Sequence, residues 1–160
     1  MMRLVLVLLL LCASPALGAD WGHYVNVRYG YAIDVPPGFA GHGEADNGDG
    51  QLFSTPTATL RVYGANILEG DFETAAHDRE AAATDDGWAI TYQVSTPNRA
   101  SFSGQRGGRI LYGRLIALCA GTELAAFELE YSKADLQRFN PVVDRLVQSF
   151  RATDGSAMCG

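Results

Sequence analysis

The sequence predicts an α+β domain: an antiparallel sheet of six or seven strands covered by two main helices. Several short segments alternate apolar and polar residues, as in Tyr31-Ala32-Ile33-Asp34-Val35 and Leu60-Arg61-Val62-Tyr63. Such alternation marks strands with one buried face. Most follow one another through tight glycine-bearing corners, which suits antiparallel pairing rather than repeated strand-helix-strand units. Two other stretches place their apolar residues at helical spacing.

The first strand is expected over residues 29–35, after a short lead containing Trp21 and Tyr24. Pro36-Pro37-Gly38 ends it, since proline cannot donate to a ladder. Phe39 is expected to tuck under the sheet. A loop over residues 41–50 leads to a short strand over 51–54, which forms a hairpin with residues 58–64 through Thr55-Pro56-Thr57. A helix over residues 71–84 presents the narrow face Phe72, Ala75, Ala76, Ala82 and Ala83 and should stop before Asp85 and Asp86, which suit the negative end of a helix badly. Strands follow over 88–95, 100–105, 109–118 and 123–131, with corners at Gly107-Gly108 and Ala120-Gly121-Thr122. Ser132-Lys133-Ala134-Asp135 has the form of a capping box, and Asn140-Pro141 reads as a second helix start. Phe139, Val142, Val143, Leu146, Val147 and Phe150 form the strongest amphipathic pattern of the chain.

Compartment is read from the first residues. Arg3, the apolar run Leu4 to Leu11 and the small-residue site Ala16-Leu17-Gly18 have the form of a secretory signal peptide over residues 1–18. The apolar run is too short for a permanent span, which needs about 20 residues. A single domain over residues 19–160 is expected, with a flexible tail from about residue 152. The 160-residue chain carries a formal charge of −6, and losing Arg3 makes the remainder more negative still. Such a balance disfavours nucleic acid and anionic lipid as partners. A periplasmic or secreted location follows from the leader. In that oxidising setting Cys119 and Cys159 are expected to pair, closing a loop worth roughly 4 kcal/mol on the chain-entropy model. A free thiol and an intermolecular bridge are the competing readings, because Cys159 is the penultimate residue.

Candidates for chemistry are few. Glu44-Ala45-Asp46-Asn47-Gly48-Asp49-Gly50 invites a calcium reading, but alignment to a calcium-binding loop puts Ala45 and Pro56 at two decisive ligand positions. What survives is Asn47-Gly48 and Asp49-Gly50, good turn formers, with a weak cation site at Glu44, Asp46 and Asp49 as the alternative. His23, His42 and His77 share no zinc-ligand spacing, and Glu73, His77 and Glu80 read equally as a solvated helix face. Ser101-Phe102-Ser103-Gly104 lacks the glycine that a nucleophile elbow needs. Arg99, Arg106, Arg109 and Arg114 form a basic bias in an acidic chain, and the turn carrying Arg106 and Arg109, with Arg114 nearby, is a candidate seat for a carboxylate or phosphate. The competing reading is a solubilising hairpin tip. No cofactor fingerprint is present.

A small exported domain that opens with Tyr29-Gly30-Tyr31-Ala32-Ile33-Asp34-Val35-Pro36-Pro37-Gly38-Phe39 and closes with a helix ending Leu146-Val147-Gln148-Ser149-Phe150 resembles the PsbP-like group. That resemblance implies an α/β/α sandwich around an antiparallel sheet and a non-enzymatic accessory or binding role. It carries over no functional residue, because no site motif is matched, and fold alone does not assign function. The expectation is therefore a non-catalytic exported domain that binds another envelope protein or a small molecule. The alternatives are a small hydrolase whose site assembles only in the fold, and a calcium-stabilised loop at residues 44–50.

Overall fold

The computed structural model describes residues 20–153. Ten strands and two helices follow in order: β1 (Gly22–Asn26), β2 (Tyr31–Val35), β3 (Ala40–Glu44), β4 (Gly50–Ser54), β5 (Thr59–Asn66), α1 (Phe72–Asp85), β6 (Ala89–Thr96), β7 (Arg99–Arg106), β8 (Arg109–Leu118), β9 (Glu123–Ser132), α2 (Leu136–Ser149) and β10 (Arg151–Ala152). The main sheet has seven antiparallel strands in the order β3-β4-β5-β9-β8-β7-β6, and a second sheet has the order β1-β2-β10. The expected strand count of the main sheet holds while its membership changes. The Tyr31–Val35 strand leaves for the small sheet, and β3, expected as loop, takes a main-sheet edge. Its sequence Ala40-Gly41-His42-Gly43-Glu44 is exposed throughout and offers no apolar alternation to read.

Alternation along β5 and β9 divides the main sheet into two faces. Leu60, Val62, Ala125, Phe127, Leu129 and Tyr131 look toward α2 and the small sheet, joined by Tyr31, Ile33, Phe139, Leu146 and Phe150 in one core. Phe39 packs against this core as expected. Phe127 and Phe150 meet edge to face at 5.2 Å, and Tyr131 stacks on Phe139 at 4.4 Å. On the opposite face Phe72, Ala76 and Ala83 of α1 pack with Phe102, Leu111, Leu115, Leu124 and Ala126. The layers are therefore α1, the seven-stranded sheet, then α2 with the small sheet.

Asp71 caps α1, its carboxylate accepting from the Thr74 amide at 2.9 Å. The helix includes Asp85, one residue beyond the expected stop. Gly87 (φ 88) takes the left-handed turn that ends it, donating to the Thr84 carbonyl at 2.9 Å, and Asp85 stays exposed where the unfavourable dipole is screened by water. The expected second start at Asn140-Pro141 is also corrected. Helix α2 runs unbroken from Leu136 with Pro141 inside it, and Ser132 instead caps a single 3-10 turn at Lys133–Asp135. Pro141 removes one helical hydrogen bond near the start, a loss that burial of Phe139 and Leu146 in the core outweighs.

At residue 152, where a flexible tail is expected to start, the chain is still paired in a strand. Arg151 and Ala152 pair with Ala32 and Tyr31, and the Thr153 amide donates to the Gly30 carbonyl at 2.8 Å. The expected signal peptide over residues 1–18, and the tail beyond Thr153, lie outside the described residues.

Candidate functional site

The alanine face of α1 is narrow, and the helix rests on the β6–β7 side of the main sheet. This leaves the β3–β4–β5 side of that face uncovered. A cleft of about 800 Å³ opens there, with Arg61 and Tyr63 of β5 on its floor, Arg79 of α1 as one wall, and His42 and the 45–49 turn as the other. Leu52, on the same face as its register partner Arg61, is 38% exposed.

Some of the charges in and beside the cleft are held by partners. Glu128 of β9 lies opposite Arg61 in the sheet register and takes a 2.5 Å hydrogen bond from Arg79 Nε. Burial pushes the Tyr63 phenol well above its ordinary pKa, and the neighbouring Glu128 carboxylate pushes the same way against Arg79 and Arg61. Tyr63 is therefore a hydrogen-bond donor across the physiological range and not a base.

The acids of residues 44–49 do not converge. Glu44 Oε1 accepts from Asn26 Nδ2 at 2.8 Å and from the Tyr24 hydroxyl at 3.0 Å. Asp49 Oδ2 accepts from Asn47 Nδ2 at 2.7 Å, and the Asp49 carbonyl accepts from the Tyr31 hydroxyl and the Gly64 amide. Arg28 binds the Asn47 carbonyl. Gly48 takes φ 68 in a turn closed by its own amide on the Ala45 carbonyl at 2.7 Å. The segment is the β3–β4 hairpin turn, pinned from below by the small sheet. Among the described residues no three His, Cys, Asp or Glu side chains are grouped to hold a metal ion.

Sequence reasoning missed one contact at the cleft rim: His42 Nε2 and Ser54 Oγ are 2.6 Å apart across the β3–β4 edge. A strand without apolar alternation hides that register. His23 separately bonds Asp34 at 3.1 Å on the small sheet, and His77 lines a shallow groove beside Glu73 and Glu80 on α1. Neither lies beside the His42–Ser54 pair. Ser101 is buried under Arg114, whose guanidinium donates to its hydroxyl at 2.8 Å.

The arginines singled out in the sequence are dispersed. Arg106 stacks on Trp88 at 4.4 Å and donates to the Asp86 carbonyl. Arg109 pairs with Glu130 at 2.9 Å and also donates to the Thr57 carbonyl. Arg114 projects from the other face of β8, five residues on, because strand side chains alternate. The hairpin tip thus gathers no anion seat from Arg106, Arg109 and Arg114 together. Cys119 follows β8 at φ 48 in a turn with Ala120 at φ 54. Cys159 lies outside the described residues, and the expected pairing with it.

Layer order and strand order define an α+β domain of the PsbP/Mog1-like fold. Among solved structures the chain is similar to cyanobacterial PsbP (CyanoP) from Synechocystis sp. PCC 6803, with a TM-score of 0.63 at 14% identity, covering 89% of this chain and 98% of that one. It is similar too to the Ran-binding protein Mog1p of Saccharomyces cerevisiae, with a TM-score of 0.62 at 10% identity, covering 86% and 98%. At these identities the likeness is one of fold. No protein-family model and no curated protein matches the sequence.

Proposed function

We propose that the chain is an exported, non-catalytic binding domain that docks on another protein through the uncovered β3–β5 side of its main sheet. The observation carrying this reading is the open cleft of about 800 Å³, where an exposed Leu52 sits among charges of both signs, of which Arg79, Glu44 and Asp49 are held by partners. Charges of both signs around an apolar centre select a complementary partner. A neighbour of the same fold, Mog1p, is named for binding a protein, which is in keeping with this use of the scaffold. No helix among the described residues is long and apolar enough to cross a membrane. Export through the residue 1–18 leader and a Cys119–Cys159 bridge complete the proposal, and non-reducing peptide mapping of authentic material tests both. The docking face is tested by cross-linking the tagged protein in its native envelope, beside a Leu52→Asp/Arg61→Glu variant of unchanged melting temperature. Selective loss of one cross-linked protein in the variant supports the reading. Identical products, or turnover of a substrate that a single substitution abolishes, overturn it.

The His42–Ser54 contact favours a second reading, a small hydrolase. The 2.6 Å distance suits proton transfer from a serine nucleophile. The pair is exposed on a sheet edge, and no acid orients the other nitrogen of His42 among the described residues, so this reading stands behind the first. Labelling by a fluorophosphonate probe that disappears in Ser54→Ala would reverse the order.

A further inference from the structure

The helix α2 side of the sheet holds a second concavity, of about 500 Å³, between the end of α2, β10 and the start of β7. Three arginines reach it from three strands: Arg99 from β7, Arg114 from β8 and Arg151 from β10. Its floor is apolar, formed by Ile116, Val147 and Phe150.

Four of the other described arginines are paired with acids, while Arg28, Arg61 and Arg106 are not and lie away from this groove. Arg79, Arg109, Arg138 and Arg145 each lie within 4.0 Å of a carboxylate. Among the described residues Arg99, Arg114 and Arg151 have no such partner. Arg114 donates to Ser101 Oγ at 2.8 Å and Arg151 to the Ser149 carbonyl at 3.1 Å. Each of those bonds uses one of the five N–H donors of a guanidinium. A protein of net charge −6 thus gathers three cations without carboxylate partners at one concavity with an apolar floor. Guanidinium forks match carboxylates in shape and charge, and a volume of this size is that of a small-ligand site.

We propose that the Arg99–Arg114–Arg151 groove binds a small organic anion, a dicarboxylate with an apolar body, its carboxylates on the guanidinium groups and its methylenes on Ile116 and Phe150. This site is on the opposite face from the protein-docking cleft and does not depend on it.

Adipate titrated into isotopically labelled protein at low salt, followed by amide chemical shifts, tests the assignment. Saturable shifts at Arg99, Arg114, Ile116 and Arg151 are expected, weakening with added salt. Dimethyl adipate, which has the same body without charge, should leave them unmoved. Inorganic phosphate, which lacks the apolar body, should bind at least about tenfold more weakly. An Arg99→Gln/Arg151→Gln double variant alters two exposed side chains and spares the Arg114–Ser101 bond, so the fold stays intact. It should also lose at least about tenfold in affinity, while Arg138→Gln, with a charge removed elsewhere on the surface, should not. The proposal is overturned by absent shifts with adipate, by phosphate binding as tightly as adipate, or by equal affinity in the double variant.

Discussion

Asn26 and Glu44 are joined across the two sheets, Asn26 Nδ2 standing 2.8 Å from Glu44 Oε1. The same buried amide group donates to the Gly48 carbonyl at 2.9 Å, and its oxygen accepts from the Tyr29 backbone at 2.8 Å. One side chain therefore ties the β1–β2 turn to the β3–β4 turn. Replacing Asn26 by Ala removes the ties to Glu44 and Gly48 and leaves the buried Tyr29 amide without its acceptor, which should destabilise the fold by about 1–3 kcal/mol. Urea unfolding at neutral pH measures this. A loss within error of zero would show that water replaces the bonds.

Asp34 links β2 to α2 and gives the fold a dependence on acid. Partial burial raises its pKa, but hydrogen bonds from His23 and Arg145 outweigh that and hold it below the usual range. A depressed carboxyl stabilises the folded state fully above its unfolded pKa of about 3.9 and loses that contribution as pH falls through the folded value. In this partly exposed setting, beside the more exposed His23 and Arg145, the effect should be at most about 1 kcal/mol. Asp34→Asn should be less stable than the native chain at about pH 6, with the difference shrinking as pH falls below about 3.9. A difference that persists at low pH would assign the effect to packing.

In the cleft, Tyr63 reports on Glu128. Burial is the larger cause of its raised pKa, and Glu128 adds to it. Glu128→Gln should therefore lower the Tyr63 titration without returning it to the ordinary value. Alkaline absorbance difference spectra, with Tyr63→Phe to assign the signal, follow it. Arg79→Met leaves Glu128 without its guanidinium partner, which should cost about 1–3 kcal/mol.

On the α1 side, the Phe102 ring lies directly over Gly113. A Cβ at residue 113 would stand 2.3 Å from Phe102 Cε1 and 2.4 Å from Cζ, inside contact distance. Phe102 is buried and its ring must shift to admit the methyl, so Gly113→Ala should cost about 1–3 kcal/mol. Pairing Gly113→Ala with Phe102→Leu should recover part of the loss, as a thermal melt would read.

Elements with a buried stripe were legible in the sequence. The pattern of Phe139, Leu146 and Phe150 foretold α2, and the alternation Leu60-Arg61-Val62-Tyr63 foretold both faces of β5. Strand β3 was not legible because all five residues are exposed, and the two-residue β10 is too short for any period. The site was hidden for a related reason. Glu44 looked like a cation ligand while its partners Tyr24 and Asn26 lay about 20 residues away in a segment read as a lead. Arg151 joins Arg99 and Arg114 only because the chain returns to the small sheet after α2.

That return also sets a timetable for folding. Strand β2 lies near the beginning of the described chain, yet one of its two neighbours, β10, is the last element among the described residues. A polypeptide emerging amino end first cannot complete the small sheet until residue 152 has appeared. Closure of the small sheet is thus a late event, and chains ended before residue 151 lack it.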